Sequence, residues 1–446
     1  MSTLREINHH LKDLYLLFSR SPFAKSFAKE IKYFICESKG YLCLICLDLI
    51  DNNYSTIILN RDSSKQYRAI DINIDFDNIK DAEEYLIKRV TEDIDSLQEK
   101  IDYFDLFKNL NNEVKQHPHF KLLKDNIGLS AAKEVIQEIS YHYKDIDGNF
   151  IDQFQTLNGF DARIWELFLF SFFREQLFEF NRVYEYPDFL IFKNGVEIAV
   201  EAVIVSRRNF EFSEIEPKTE EEIKKILSND MPLMFGSALH EKSKKKYWEK
   251  PHVEGKPFLI AIADFHDNMS MTWSFSSLSE YLYGYRYEHE YDELGNLIVK
   301  PIKVEKYIKQ NGTEIPSGFF LDEDNKYISA IIFTSIGTLS KFNRIGKQAG
   351  LGSKDCKLIR FSVFHDHTPN ASLPNLSIYE VNQESKETFS EGVVIYHNPS
   401  AEYPIELGSM FDYKVSECFL DGEILKTYVP DIFPYSSFTQ NLIIKH

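Results

Sequence analysis

One stretch constrains the fold more than any other: residues 163–205, RIWELFLFSFFREQLFEFNRVYEYPDFLIFKNGVEIAVEAVIV. Its first half, Ile164 to Phe180, has no Gly or Pro and is long enough for more than about four helical turns. Apolar residues cover nearly its whole circumference, which predicts a helix buried on all sides. Glu166 sits inside that run. A carboxylate there must find a cation, a metal or a hydrogen-bonding partner, or remain protonated.

The second half changes period. Phe189 to Phe192 is a short apolar run, and Asn194-Gly195 is a strong hairpin signal, because a type I′ turn needs positive φ at both central residues. From Val196 to Val205 the side chains alternate. Val196, Ile198, Val200 and Ala202 point one way, and Glu197, Ala199, Glu201 and Val203 the other. A hairpin folded at Asn194-Gly195 brings Asp188, just after Pro187, alongside Glu201, within roughly 5 Å. Two carboxylates at that separation repel unless a cation lies between them. Mg²⁺ or Mn²⁺, with oxygen ligands, fits that need.

A helix bearing Glu166, then Pro187-Asp188 opening a hairpin, then Glu201 on its second strand resembles the PD-(D/E)XK nuclease superfamily. The resemblance covers roughly the middle third of the chain. It implies a restriction-endonuclease-like core in which Asp188 and Glu201 hold the metal and Glu166 assists. It also implies a lysine two positions after the strand glutamate, but Val203 stands there. Either a lysine comes from elsewhere or the site is dead. FGSALHEKSKKKYWEK, from Phe235 to Lys250, reads as a helix and holds the densest positive cluster in the chain. Lys242 and Lys245 are the candidates to replace the missing lysine. Lys244 and Lys246, with Arg207 and Arg208, form a candidate phosphate-binding patch.

Composition bounds what else the chain can do. With 446 residues, 43% hydrophobic and 14% aromatic, it can build real cores. A formal charge of −18 argues against non-specific nucleic-acid binding by the chain as a whole. Any nucleic-acid reading needs a local basic patch, and an oligomer or an activating partner protein is the expected way round the deficit. Five cysteines, an odd and sparse set, predict a reducing compartment. Cys43-x-x-Cys46 lies in an apolar run with no second pair, so core thiols are expected rather than zinc ligands. The polar first residues and the absence of a long apolar run predict a cytoplasmic protein with no membrane span.

Along the chain, residues 1–35 read as helical, followed by strands at Tyr41–Ile50, Ser55–Leu59 and Tyr67–Ile74 and a charged helix from Asp81 to Leu110. His117-Pro118-His119 could ligate a metal with two His around a Pro, but reads better as linker. Leu129 to His142 reads as helix and Asp145 to Asn158 as loop. Lys256 to Asp264 reads as a core strand with Asp264 and His266 emerging at its end, where sites gather in open α/β sheets. They are read as touching a metal, a base or a phosphate, or as a hydrogen-bonded cap on the strand. Residues 336–355 read as a basic, glycine-rich loop whose Lys341 and Arg344 approach phosphates, or as a flexible connection. His367 and His397 each open a His-x-Pro-x-Ala-x-x-Pro segment that proline-locked turns explain, the alternative being a metal or phosphate role with His365 and Asp366 beside the first.

The expected class is α/β (α+β overall). It comprises a small α+β N-terminal domain over residues 1–120, a restriction-endonuclease-like mixed-sheet core flanked by helices over 150–370, and a strand- and loop-rich extension packed on that core over 371–446. The expected activity is metal-dependent hydrolysis of nucleic acid, DNA before RNA, in bacterial restriction or defence against phage. The alternative is an inactive nuclease fold that binds nucleic acid or a protein partner. No nucleophile elbow or zinc-protease motif supports another hydrolase.

Overall fold

A computed structural model describes residues 4–94, 103–110, 115–207, 219–267 and 269–444. Arg208 and residues 209–218 lie outside the described residues.

The chain opens with an antiparallel sheet in the order β1 (Leu4–Glu6), β2 (Ala28–Cys36), β3 (Tyr41–Asp48), β4 (Tyr54–Arg61) and β5 (Tyr67–Phe76). Helices α1 (His9–Leu16) and α2 (Ala24–Phe27) lie between its first two strands, and α3 (Ile79–Arg89) follows the last. The expected helix through residue 35 gives way to β2. Tyr33, Phe34 and Ile35 are β-branched or aromatic, and they pair along β3. The charged helix expected from Asp81 to Leu110 stops at Arg89: residues 90–94 and 103–110 are not helical, and 95–102 lie outside the described residues. Cys43 and Cys46 are three apart on β3, so they enter the cores on opposite faces of the sheet. One metal cannot bridge them.

Helices α4 (Pro118–Asp125), α5 (Ser130–Ser140), α6 (Phe150–Gln155) and α7 (Phe160–Glu175) come next. Helix α6 lies in the stretch that reads as loop. Helix α7 is the greasy helix, buried from Phe160 through Phe173, and Trp165 Nε1 fastens it to the sheet by donating to the Ala261 carbonyl at 3.1 Å.

After α7 come β6 (Glu179–Phe180), β7 (Phe189–Lys193), β8 (Val196–Val205), α8 (Glu220–Lys225), α9 (Met231–Ser243), β9 (Phe258–Asp264) and α10 (Phe275–Tyr283). Two hairpins follow, β10 (Tyr285–Tyr291) with β11 (Leu297–Lys303) and β12 (Lys306–Ile308) with β13 (Glu314–Pro316). The chain finishes with β14 (Ile328–Thr334), α11 (Leu339–Gln348), β15 (Cys356–Phe364), β16 (Asn375–Glu380), β17 (Val393–His397), β18 (Ser416–Asp421), β19 (Ile424–Tyr428) and β20 (Pro434–Ile443).

The central sheet runs β19-β18-β17-β14-β9-β8-β7-β6. It is mixed: β8, β9 and β14 are parallel, while β7 runs against β8 and β17 against β14. One face, with Ile198, Val200, Leu259 and Ala261, packs on α7. The other, with Ala199, Ile260 and Ile262, packs on the α9 and α10 side chains. Strands β17 to β19 belong to this sheet, so the residues after 371 complete the core as well as extending it. The remaining three strands form a separate sheet in the order β16-β15-β20. The molecule is thus mixed α/β with several sheets. Among the described residues no helix is long and apolar enough to cross a membrane.

Candidate active site

The site forms where β7 and β8 begin to part. Lys193 pairs with Val196 around a two-residue turn, with Asn194 at φ 52° and Gly195 at φ 82°, as a type I′ turn requires. Register then follows: Phe189 faces Val200, which puts Asp188 beside Glu201. The Ala202 N–H donates to Asp188 Oδ2 at 2.8 Å, and the Asp188 N–H to Glu201 Oε2 at 3.4 Å. Alternation sends Glu201 to the face covered by α9. There Lys242 Nζ donates to Glu201 Oε1 at 2.5 Å. Position 203, where the resemblance implies a lysine, holds Val203, and the ammonium beside Glu201 comes from α9.

Burial and charge act strongly on this group. Glu201 is 2% exposed, and burial, then the Asp188 charge, push its carboxyl up to about 8 against the pull of Lys242. Glu166 is buried as well, and burial and Asp188 push it up to about 7. Burial works against the Lys242 charge, but Glu201 and Asp188 outweigh it and hold the ammonium above its usual range. Asp188 and Glu201 share the one Lys242 ammonium.

Glu166 is already engaged. Arg163 Nη1 donates to its two oxygens at 3.0 and 2.8 Å, and the Tyr143 hydroxyl donates at 2.9 Å. Sequence reasoning missed both partners. Arg163 carried a signal, since it lies three residues before Glu166 on one helix face. Tyr143 carried none. Glu166 and Asp188 line a cleft of about 290 Å³, with Asp145, Asp147 and Glu185 also on its walls. Arg182 closes it, donating to the Asp188 carbonyl at 2.9 Å.

The other sequence candidates separate. Lys245 is exposed and lies over the Tyr247 ring, 5.8 Å from its centroid, so Lys242 and not Lys245 meets Glu201. Lys244 and Lys246 are exposed, in keeping with a surface patch. Arg207 is not part of it: its side chain is 9% exposed and lies 3.5 Å from Asp161. Lys341 and Arg344 are corrected too. Residues 339–348 are helix α11, and both cations are wholly buried. Arg344 grips Glu387 with two bonds of 2.7 Å, and Lys341 donates to the Glu391 carbonyl at 2.6 Å. The polar face of α11 is itself covered, by Glu387 and the Glu391 carbonyl, so these residues cannot reach a phosphate.

His117 is no linker residue. It caps α4, is wholly buried and stacks on Phe160 at 4.9 Å. With His119 and Asp161 it makes the one trio of metal-type donors, among the described residues, whose ligand atoms lie within 4.8 Å of one another. Its Nδ1 accepts the His119 N–H at 3.1 Å, so in the neutral ring Nε2 carries the proton and faces Asp161 Oδ2 at 3.8 Å. A proton on Nε2, with Arg207 beside Asp161, opposes a cation there. Burial pushes His117 down to about 3, which keeps it neutral. Asp264 is 1% exposed and accepts from the His266 N–H at 3.1 Å, the hydrogen-bonded cap on strand β9. His367 meets the Pro430 carbonyl and buried His397 meets Glu417, so the two similar segments share no site.

The chain matches no protein-family model, no curated protein and no solved structure.

Proposed function

We propose that the chain is a metal-dependent nuclease with a restriction-endonuclease-like core. The observation that carries the reading is the Lys242 ammonium, 2.5 Å from Glu201 and supplied by α9 where β8 offers only Val203. A lysine beside paired carboxylates is the grouping that phosphodiester hydrolysis needs, and here it is rebuilt from distant parts of the chain.

The donor set suits a hard divalent ion. Asp188 and Glu201 offer carboxylate oxygens from adjacent strands, and the Asp188 charge adds to burial in raising the proton affinity of Glu201, as two acids without a cation between them would. Mg²⁺ or Mn²⁺ held by these two residues, with Glu166 supporting from the far wall, would supply Lewis-acid polarisation of a phosphodiester. Lys242 would stabilise the negative charge that builds on the phosphorus oxygens. Arg163 and Tyr143 hold Glu166 in place. Lys244 and Lys246 would grip the backbone of the substrate, DNA before RNA. The acidic remainder of the chain fits a nuclease that works with a partner or as an oligomer, as in restriction or defence against phage.

A second reading has its own support. The Lys242–Glu201 pair satisfies a buried carboxylate without any metal, as a purely structural ion pair would. An inactive nuclease fold that binds nucleic acid or a protein would look the same there. Incubating wild type, Asp188→Ala, Glu201→Gln and Lys242→Ala with plasmid, single-stranded DNA and RNA, in Mg²⁺ or Mn²⁺ against EDTA, separates the two. The nuclease reading expects divalent-dependent cleavage that all three substitutions abolish. Cleavage surviving Asp188→Ala and Glu201→Gln would move the chemistry elsewhere.

A further inference from the structure

The chain reaches Asp188 through Tyr184-Glu185-Tyr186-Pro187, and both tyrosines stay exposed, at 42% and 45%. Each is backed by a second ring from the segment that follows α9. Tyr184 lies flat on His252, with centroids 3.8 Å apart and planes 2° from parallel. Tyr186 lies on Tyr247, with centroids 5.9 Å apart and planes at 12°. His252 Nε2 also meets the Tyr186 carbonyl at 2.7 Å, which ties the two stacks together. Lys250 Nζ sits 5.9 Å from the Tyr186 ring and 5.7 Å from that of Tyr247, and Lys245 joins it over Tyr247. Tyr186 stands two positions before Asp188 and lines the same cleft, so this platform adjoins the carboxylates.

Buried aromatic pairs need no function, but these are half in solvent. A ring stiffened from behind loses little freedom when something flat stacks on its open side. Cations over the rings add a place for phosphate. Double-stranded nucleic acid keeps its base faces stacked inside the helix and cannot use such a platform. An unpaired strand can, because every base offers a flat face. Asp145, Asp147 and Glu185 line a cleft that Tyr186 also borders and repel phosphate from it, which leaves Lys245 and Lys250 to take the strand's backbone.

We propose that Tyr184 and Tyr186, with Lys245 and Lys250, form a stacking platform for unpaired nucleotides, so that the chain acts on single-stranded nucleic acid or on a strand opened from a duplex. The identity of the ligand rests on the nuclease reading.

The test measures fluorescence anisotropy of short dye-labelled single-stranded DNA, the same sequence as RNA, and the DNA duplex, with the Glu201→Gln protein so that nothing is cut. Single strands are expected to bind about tenfold or more tightly than duplex. Tyr184→Ala/Tyr186→Ala should lose that preference and Tyr184→Phe/Tyr186→Phe should keep it, with circular dichroism confirming that both fold. Equal binding of duplex, or undiminished single-strand binding by the double alanine variant, overturns the platform. Cleavage by the wild-type protein is scored separately. Metal-dependent cutting of duplex plasmid that depends on Asp188 but ignores both tyrosines keeps the nuclease reading and ends this one. Tyrosine-dependent single-strand binding without cutting in any metal supports the platform and ends the nuclease reading.

Discussion

Lys242 Nζ and Glu201 Oε1 lie 2.5 Å apart, although forty-one positions separate them in the chain. One stands in the last turn of α9, the other in the middle of β8. The pair is buried on the Glu201 side and largely covered on the Lys242 side, so neither partner can be removed without consequence.

Breaking that pair is expected to destabilise the fold. Above about pH 8, where Glu201 is ionised, Lys242→Met leaves it buried without its cation, a change that typically costs about 3 kcal/mol or more. The double substitution Lys242→Met/Glu201→Leu removes both charges and should recover most of the loss. Urea unfolding of the single and double variants measures it. Equal stability of Lys242→Met and wild type would show the pair to be incidental.

The pH dependence follows from Glu201 and Glu166. Both bind their protons more tightly when folded, at about 8 and about 7, than the ordinary 4.5 of an unfolded chain. Between those values the folded state holds more protons than the unfolded one. The stability these groups contribute is therefore complete below the unfolded value and is lost as pH rises through the folded values. The unfolding free energy of wild type, relative to Glu201→Gln, should decline over that window. Mg²⁺ competes with the proton, so its stabilising effect on wild type, read as a rise in Tm, should be larger at the alkaline end.

Two sets of basic residues should behave in opposite ways. Arg344→Ala strips a bidentate partner from Glu387, whose carboxyl Arg344 and Arg360 together hold down to about 2 despite its burial, and should cost roughly 3–5 kcal/mol. Lys244→Glu/Lys246→Glu alters exposed positions and should leave stability within about 0.5 kcal/mol. Binding to labelled oligonucleotide should weaken for the lysine pair, with a shallower salt dependence. It should be unchanged for Arg344→Ala protein that remains folded.

Helices α5 and α11 cross at Gly346. A Cβ there would meet the Ala131 carbonyl oxygen at 2.7 Å and Val135 Cγ2 at 2.9 Å. Gly346→Ala should therefore force the helices apart and cost about 1–3 kcal/mol, despite the higher helix propensity of alanine. A stabilised variant in urea titration would mean that the crossing yields easily.

The site was legible in the sequence wherever neighbours along the chain decide the geometry. Asn194-Gly195 sets the turn, the turn sets the register, and the register places Asp188 by Glu201. Helix α7 was legible because nothing but an all-round core suits so many aromatics. The errors came where a charge pattern stood in for a position. Lys341 and Arg344 look like surface cations in sequence, yet their helix turns them inward to Glu387. Arg207 looks like part of a basic patch, yet it turns to Asp161.

What the sequence determined by itself was the hairpin, its paired acids and the buried helix above them, because turn stereochemistry and strand alternation act over a few residues. Only the tertiary structure decided which lysine completes the group, that Arg163 and Tyr143 occupy Glu166, and which basic residues face water. Those choices depend on how helices pack across a sheet, where partners come from remote segments and burial sets which charges must find each other.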